Sequence, residues 1–294
     1  MLTNWTISEN TLLTVAYGFS SFYSVIGVSS TVFNGILVLI TIKSTALHKV
    51  TNILIATQAA GDAIVTWFLP VFVYNSYTKT FISMTKCYFM CVPSIAGLNV
   101  TTIMILLIGI DRYYLVQYPL RYNKMNKKHY VVFVISISGC FSGMFLVGFY
   151  LAITDERVLC FIADTTGWLM RNIWAGSQSV INIAVIVVYT KVKNALKKRD
   201  RFKEDDSKKI FASLYIIMLF YIAGWMATVV MFLAAQVITE DIRLTQAIEM
   251  VVCVCAALNL VVPFFVYYNR SNTYKKEIRS FFGIFSSAEV SSSM

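Results

Sequence analysis

Charge is what this chain has least of. Asp, Glu, Lys and Arg make up 14% of its 294 residues, against 57% hydrophobic and 15% aromatic residues, whereas soluble domains carry about 25% charged residues. A chain this apolar, with a mean hydropathy of +0.67, has too few polar side chains to cover a water-facing surface, which excludes an ordinary soluble enzyme. Proline is scarce as well, with four residues beside 13 glycines, and this excludes collagen-like and low-complexity architectures. No fixed-period repeat is present, which excludes a solenoid. Histidine is nearly absent. The two that exist, His48 and His129, fall in loops between apolar runs, and no HExxH, Walker A or GxSxG pattern occurs. The chain is therefore read as a non-enzyme without a cofactor. No basic stretch or small-residue cleavage site precedes the first apolar run, so no removable signal peptide is expected.

What is present is long apolar runs. A helix crosses the hydrocarbon layer in about 20 mostly apolar residues, and seven uncharged stretches of that length are separated by polar breaks. They run from about Tyr17 to Ile42, Val50 to Tyr74, Cys87 to Val116, Tyr130 to Ile153, Asn172 to the basic segment at Lys191, Ile210 to Val237 and Gln246 to Tyr268. Each is apolar all round, as expected for helices with lipid outside and packed protein inside. The expectation is an all-α bundle of seven transmembrane helices over 17–270, an extracellular segment over 1–16, and a short amphipathic eighth helix and tail over 271–294.

The basic residues orient the bundle. Breaks after spans one, three and five and the C-terminal segment hold 20 of the 25 Lys and Arg, while the opposite side holds Lys79, Lys86, Arg157, Arg171 and Arg243. By the positive-inside rule the N-terminus is outside, the C-terminus is cytoplasmic, and the protein is multi-pass in the plasma membrane. The net charge of +10 is then a basic inner face beside anionic lipid, with no nucleic acid among the partners. Asn4-Trp5-Thr6 is a glycosylation acceptor pattern on the outer side, at Asn4. The patterns at Asn99 and Asn269 fall in the membrane and the cytoplasm, where they are silent.

Of six cysteines, Cys160 in the loop between spans four and five and Cys87 at the outer end of span three are placed for an extracellular disulfide. Cys91, one helical turn below Cys87, competes for the same partner. Cys253 and Cys255 point in different directions on a helix and read as small buried apolar residues. Besides Asp111 in the last turns of span three, two acids lie inside spans, and ionisable groups at that depth are functional candidates. Asp62 is the deeper, and depth counting gives it Asn34, Thr101 and Asn259 as members of an internal polar network. Glu249 lies nearer the outer rim, solvated or facing a donor group of a ligand. By the same depth counting Cys91, Ser94, Ile95, Leu98, Thr228, Phe232, Glu249 and Cys253 line an outer pocket, with Arg171 and Trp174 near its mouth.

Several phrases together resemble the rhodopsin-like G-protein-coupled receptors. Gly109-Ile110-Asp111-Arg112-Tyr113, followed by Val116 and Tyr118-Pro119-Leu120-Arg121-Tyr122, resembles the Asp-Arg-Tyr motif of that family and the loop after it. Asn34-Gly35 in span one and Asn52-Ile53-Leu54-Ile55 with Ala60-Gly61-Asp62 in span two are similar to its Asn and Leu-Ala-x-x-x-Asp signatures. Cys87 stands 25 residues before Arg112, the spacing at which the family places its disulfide. Tyr189, Tyr221 and Trp225 resemble its switch aromatics. Pro263-Phe264-Phe265-Val266-Tyr267-Tyr268 resembles a degraded Asn-Pro-x-x-Tyr. Span four lacks Trp, span five lacks Pro, Ala227 stands where the family has proline after Trp225, and the asparagine of the span-seven motif is missing. Without those prolines the usual kinks are lost, and no sodium site is assigned to Asp62. These departures, with the Asn-Ile-Leu-Ile and Val-Tyr-Tyr-x-Arg-Ser phrases, resemble the divergent serpentine chemoreceptors of nematodes, class SX.

The resemblance implies an outer ligand site coupled to an inner face that meets a heterotrimeric G protein. Arg112 is the latch, paired at rest with Asp111 or Asp206, and Tyr113, Tyr189, Tyr221, Trp225 and Tyr267 take part in activation. Lys191 to Lys209 and the segment from Ser271 to Phe285 form a basic rim for the G protein and for lipid. Ser94 stands 18 residues before Arg112, where amine receptors of the family carry an acid, and span seven has no lysine for a retinal. The ligand expected is a small molecule or short peptide. A solute or ion transporter using Asp62 is the alternative, though no inverted repeat accompanies it.

Overall fold

The computed structural model describes residues 6–198, 205–239 and 241–283. Seven helices among them are long and apolar enough to cross a membrane, and they form a multi-pass, all-α bundle.

Span one runs Glu9–Lys43, eight residues earlier than the apolar run suggests. Glu9, read as a polar break, instead begins the helix. Ser8 accepts a hydrogen bond from the Thr11 N–H at its start, and a negative charge in the first turn is favoured by the helix dipole. Leu12, Leu13 and Ala16 are buried beneath it, so residues 9–16 belong to the bundle and not to a free N-terminal segment.

Span two consists of Val50–Val65, a tight turn Thr66–Phe68 and a second helix Leu69–Thr78. Pro70, in the first turn of that second piece, has no N–H to donate backwards, and the chain tightens to accommodate it. Span three is Met84–Gln117 with Pro93 inside. Asn126 caps span four, Lys127–Leu151, by accepting from the Lys128 and His129 N–H groups. Span five, Trp168–Lys198, and span six, Asp205–Ile238, run without a break, as the absence of proline in them leads one to expect.

Span seven does not. It divides into Ile242–Leu258 and Val262–Arg270. Between them Asn259, Leu260 and Val261 donate to carbonyls only three residues back, a tightened turn that precedes Pro263. The freed Leu260 carbonyl accepts from Asn34 Nδ2 of span one at 2.7 Å. The final helix, Asn272–Phe281, follows a Ser271 cap and buries Tyr274 and Ile278 against the bundle.

Span three is the hub, packed against spans two, four and five. Its approach to span two is backbone on backbone. A Cβ placed on Gly97 would lie 2.7 Å from the Gly61 carbonyl oxygen and 3.0 Å from the Val65 nitrogen, so glycine at Gly97 lets the two helices close together in the way small residues do in membranes. Outward-facing Val25, Val28, Val132, Phe133 and Val147 are exposed, which suits lipid. At the end of the bundle where span three begins, a two-residue antiparallel ladder pairs Ile82 with Val158 and Ser83 with Arg157, and it holds the loop between spans four and five over the bundle.

Candidate functional site

A cavity of about 170 Å³ opens inside the outer half of the bundle. Its outer wall carries Phe161, Thr166, Arg171, Trp174 and Glu249, and its deep end carries Gln58, Asp62, Thr101, Tyr221, Trp225, Asn259 and Leu260. Of the pocket residues expected from depth counting, Ile95, Leu98, Thr228, Phe232, Glu249 and Cys253 do line it, with Arg171 and Trp174. Cys91 and Ser94 do not. Both are fully buried, and Cys91, one turn nearer the disulfide than Ile95, packs against it.

That disulfide joins Cys87 to Cys160 across a Cα separation of 5.3 Å. Cys91 keeps its thiol, 3.6 Å from the Cys160 sulfur. The bond fixes the residues after it: Phe161 inserts between Tyr23, Phe68 and Phe72, and the turn Ile162–Thr165 follows. Asp164 in that turn is buried and accepts from the Phe161 N–H at 3.0 Å and from Gln246 Nε2 at 3.2 Å. Burial pushes its pKa above the usual carboxylate range, opposed by the Arg171 charge and by both hydrogen bonds.

Glu249 is neither solvated nor free. Its side chain is 3% exposed, and Oε1 pairs with Arg171 Nη1 at 2.9 Å. A carboxylate at this depth is costly unless it is paired, and span five supplies the partner. The other Arg171 amino group donates to the Thr166 carbonyl at 3.3 Å. The next turn of span five places Trp174 so that its Nε1 donates to Asn99 Oδ1 at 3.0 Å, and its ring meets Trp225 of span six edge-on at 5.8 Å. Trp225 in turn lies 6.1 Å from Tyr221. The outer loop, span five and span six are thus joined along one wall of the cavity.

The expected polar network forms in part. Asp62, Thr101 and Asn259 share the cavity floor. Asn34 stands behind it, bonded to the Ser30 carbonyl and to Leu260, while Ser30 Oγ donates to the Asp62 backbone carbonyl. Asn259 Nδ2 reaches the Tyr221 carbonyl at 3.5 Å. Asn34 therefore bonds the backbone of spans one and seven and reaches span two only through Ser30. Gln58 was missed by the sequence reading, yet it lies one turn from Asp62 on the same helix face, a spacing that does place two side chains together.

At the inner end Asp111 does not pair with Arg112. It accepts from Thr51 Oγ1 at 2.6 Å and from the Tyr122 hydroxyl at 2.8 Å. Burial, then the Asp111 charge, push the Tyr122 pKa upward, so its hydroxyl stays a donor. Arg112 is buried, and its Nε has no partner among the described residues. Among the described residues it makes no ion pair with a carboxylate. The Asp206 side chain lies outside the described residues, as does Asn4. Tyr113 is half-buried. Tyr189 donates to the Ile105 carbonyl at 3.3 Å and packs its ring where Gly109 has no side chain. Tyr267 stacks on Tyr274 at 5.0 Å. The Thr51–Asp111–Tyr122 contacts link residues 60 and 11 positions apart. Tyr122 belongs to the loop phrase quoted above, and nothing in the sequence marks Thr51.

Among known families, the model of the serpentine-type seven-transmembrane G-protein-coupled chemoreceptors Srsx matches residues 24–282. The comparison with curated proteins gives no match.

Proposed function

The chain belongs to the Srsx family of serpentine seven-transmembrane chemoreceptors of the G-protein-coupled type, and on that premise we propose that it binds an extracellular small molecule in the outer cavity and activates a heterotrimeric G protein. In this reading the N-terminus is outside, the C-terminus is cytoplasmic and the protein sits in the plasma membrane, as the basic residues favour. The observation that carries the proposal is the continuity of one cavity from the disulfide-held loop at Phe161 to Tyr221 and Trp225 of span six and the broken turn of span seven. A molecule in that cavity touches elements whose rearrangement alters the inner face. It needs no chemistry, only a higher affinity for one of two states, and each factor of ten in that ratio shifts the equilibrium by about 1.4 kcal/mol.

At the inner face, Asp111 is held by Thr51 and Tyr122. Activation in this reading therefore frees Arg112 without breaking an ion pair with Asp111. The decisive experiment is agonist-stimulated guanine-nucleotide exchange in membranes, with the agonist taken from a screen of small odorants. Arg112→Ala at equal surface amount should lose stimulated exchange by at least tenfold and keep agonist binding. Exchange unaffected by the change, or solute uptake that depends on Asp62, overturns the proposal.

A further inference from the structure

Three polar atoms at the outer end of the cavity are buried and have no partner among the described residues: Glu249 Oε2, Arg171 Nε and Thr166 Oγ1. All three residues line the cavity, and the rest of the wall near them, with Phe149, Phe161, Trp174 and Phe232, is apolar. Buried polar groups are almost always satisfied, and an orphaned one calls for an explanation. Here an acceptor, a donor and a hydroxyl remain open around a pair already bonded at 2.9 Å.

The charge of the pair limits what can satisfy them. Arg171 and Glu249 neutralise one another. The nearby Asp164 has both oxygens engaged and is pushed by burial toward its neutral form. An ammonium ligand would meet Glu249 but crowd Arg171, and a carboxylate would do the reverse. An uncharged group that both donates and accepts can bond the carboxylate oxygen and the guanidinium nitrogen at once, and a hydroxyl does so through a single atom. Size gives the second limit. A dry cavity of about 150 Å³ holds a benzene-sized molecule, so 170 Å³ suits a small molecule and is too little for a peptide.

We propose that the cavity selects an uncharged, mostly apolar molecule of roughly six to ten non-hydrogen atoms carrying a single hydroxyl, which donates to Glu249 Oε2 and accepts from Arg171 Nε. The assignment rests on the receptor reading above and specifies its ligand class. It is tested with the full chain in lipid nanodiscs, with empty nanodiscs subtracted, by saturable binding and ligand-dependent melting. The probes are 1-hexanol and benzyl alcohol, each beside its hydrocarbon, ammonium and carboxylate counterpart. The alcohols should bind at least about tenfold more tightly than each counterpart, the discrimination expected when buried donors and acceptors are left unpaired. Glu249→Gln, which leaves the Arg171 charge uncompensated, should shift the preference from the alcohol to its carboxylate counterpart. If that variant does not fold, the head-group series on the unaltered protein decides alone. Tighter binding of the ammonium or carboxylate series by the unaltered protein, or alcohols that bind no better than hydrocarbons, overturns the assignment. Nucleotide exchange run in parallel separates the two readings: alcohol binding without exchange sinks the receptor function only, and exchange driven by a charged probe sinks the ligand class only.

Discussion

Replacing Gly97 with alanine adds one methyl group, and its effect can be worked out from the contact it would make. The new Cβ would fall 2.7 Å from the Gly61 carbonyl oxygen, 3.0 Å from the Val65 nitrogen and 3.4 Å from the Ile64 carbonyl carbon. All three are backbone atoms of a neighbouring helix, so no side chain can swing aside, and spans two and three must separate by several tenths of an ångström. Overpacking of this kind costs about 3 kcal/mol. Alanine returns up to about 1 kcal/mol because glycine is the poorer helix former, leaving a net loss near 2 kcal/mol. At roughly 2–4 °C per kcal/mol for a chain of this size, the melting temperature should fall by about 4–8 °C. Gly139 of span four is the matched control. It is exposed and nothing lies within 4 Å of its Cβ position, so Gly139→Ala should raise the melting temperature slightly. With Cys140, Cys253 and Cys255 replaced by serine, a thiol-reactive dye reports melting, because Cys91 is then the one free thiol left and is fully buried until the protein unfolds. If Gly97→Ala melts within a degree of the unaltered protein, or both substitutions shift it in the same direction, the backbone contact does not hold these helices together. Separation of spans two and three also spreads Asp62, Val65 and Thr101, which line the cavity, so ligand binding should weaken in step with stability.

Cys87→Ser and Cys160→Ser should each lower stability by about 4 kcal/mol, the loop-closure value for a separation of 73 residues, and reduce surface expression equally. Cys91→Ser should leave both nearly unchanged, and a larger defect from it than from Cys87→Ser would refute the pairing. Asp164 predicts a pH dependence. Its folded pKa is raised, so the native state holds this proton more tightly than the unfolded chain; stability is lost as pH rises through the folded pKa and fully present below the unfolded one. As pH is lowered from neutrality to the ordinary carboxylate range, about pH 4, the melting temperature of the unaltered protein should therefore gain on that of Asp164→Asn, and a gap that stays constant or moves in the other direction contradicts the shift. Epitope tags at either end, stained on intact cells, should reveal only the N-terminal one.

The seven spans were legible because their signal is local: an uninterrupted apolar run must be a helix in lipid, whatever its neighbours. Their ends were less so. Glu9 looks like a break by charge, but behind a Ser8 cap it becomes the first helical residue, and charge alone does not distinguish those cases. The turn at Asn259–Val261 is written in Pro263 and was underestimated because the asparagine that usually announces it is absent. Contacts between distant residues were the hardest to read. Depth counting places side chains at a level in the membrane and says nothing of what fills the space beside them: Ile95 and Leu98 reach the cavity, while Cys91, one turn away on the same face, packs on the disulfide. It is also why Glu249 could be given a depth but not its partner: Arg171 lies 78 positions away, and only the fold brings both to the wall of one cavity.

The first piece of span seven carries Glu249 near one end and stops at Leu258, beside Asn259. Ten residues of helix, about 15 Å, separate the carboxylate proposed to select a head group from the tightened turn at Asn259–Val261. On the proposed reading, substitutions around Arg171, Glu249 and Thr166 would retune ligand choice without touching that turn, so selectivity and coupling could be altered one at a time.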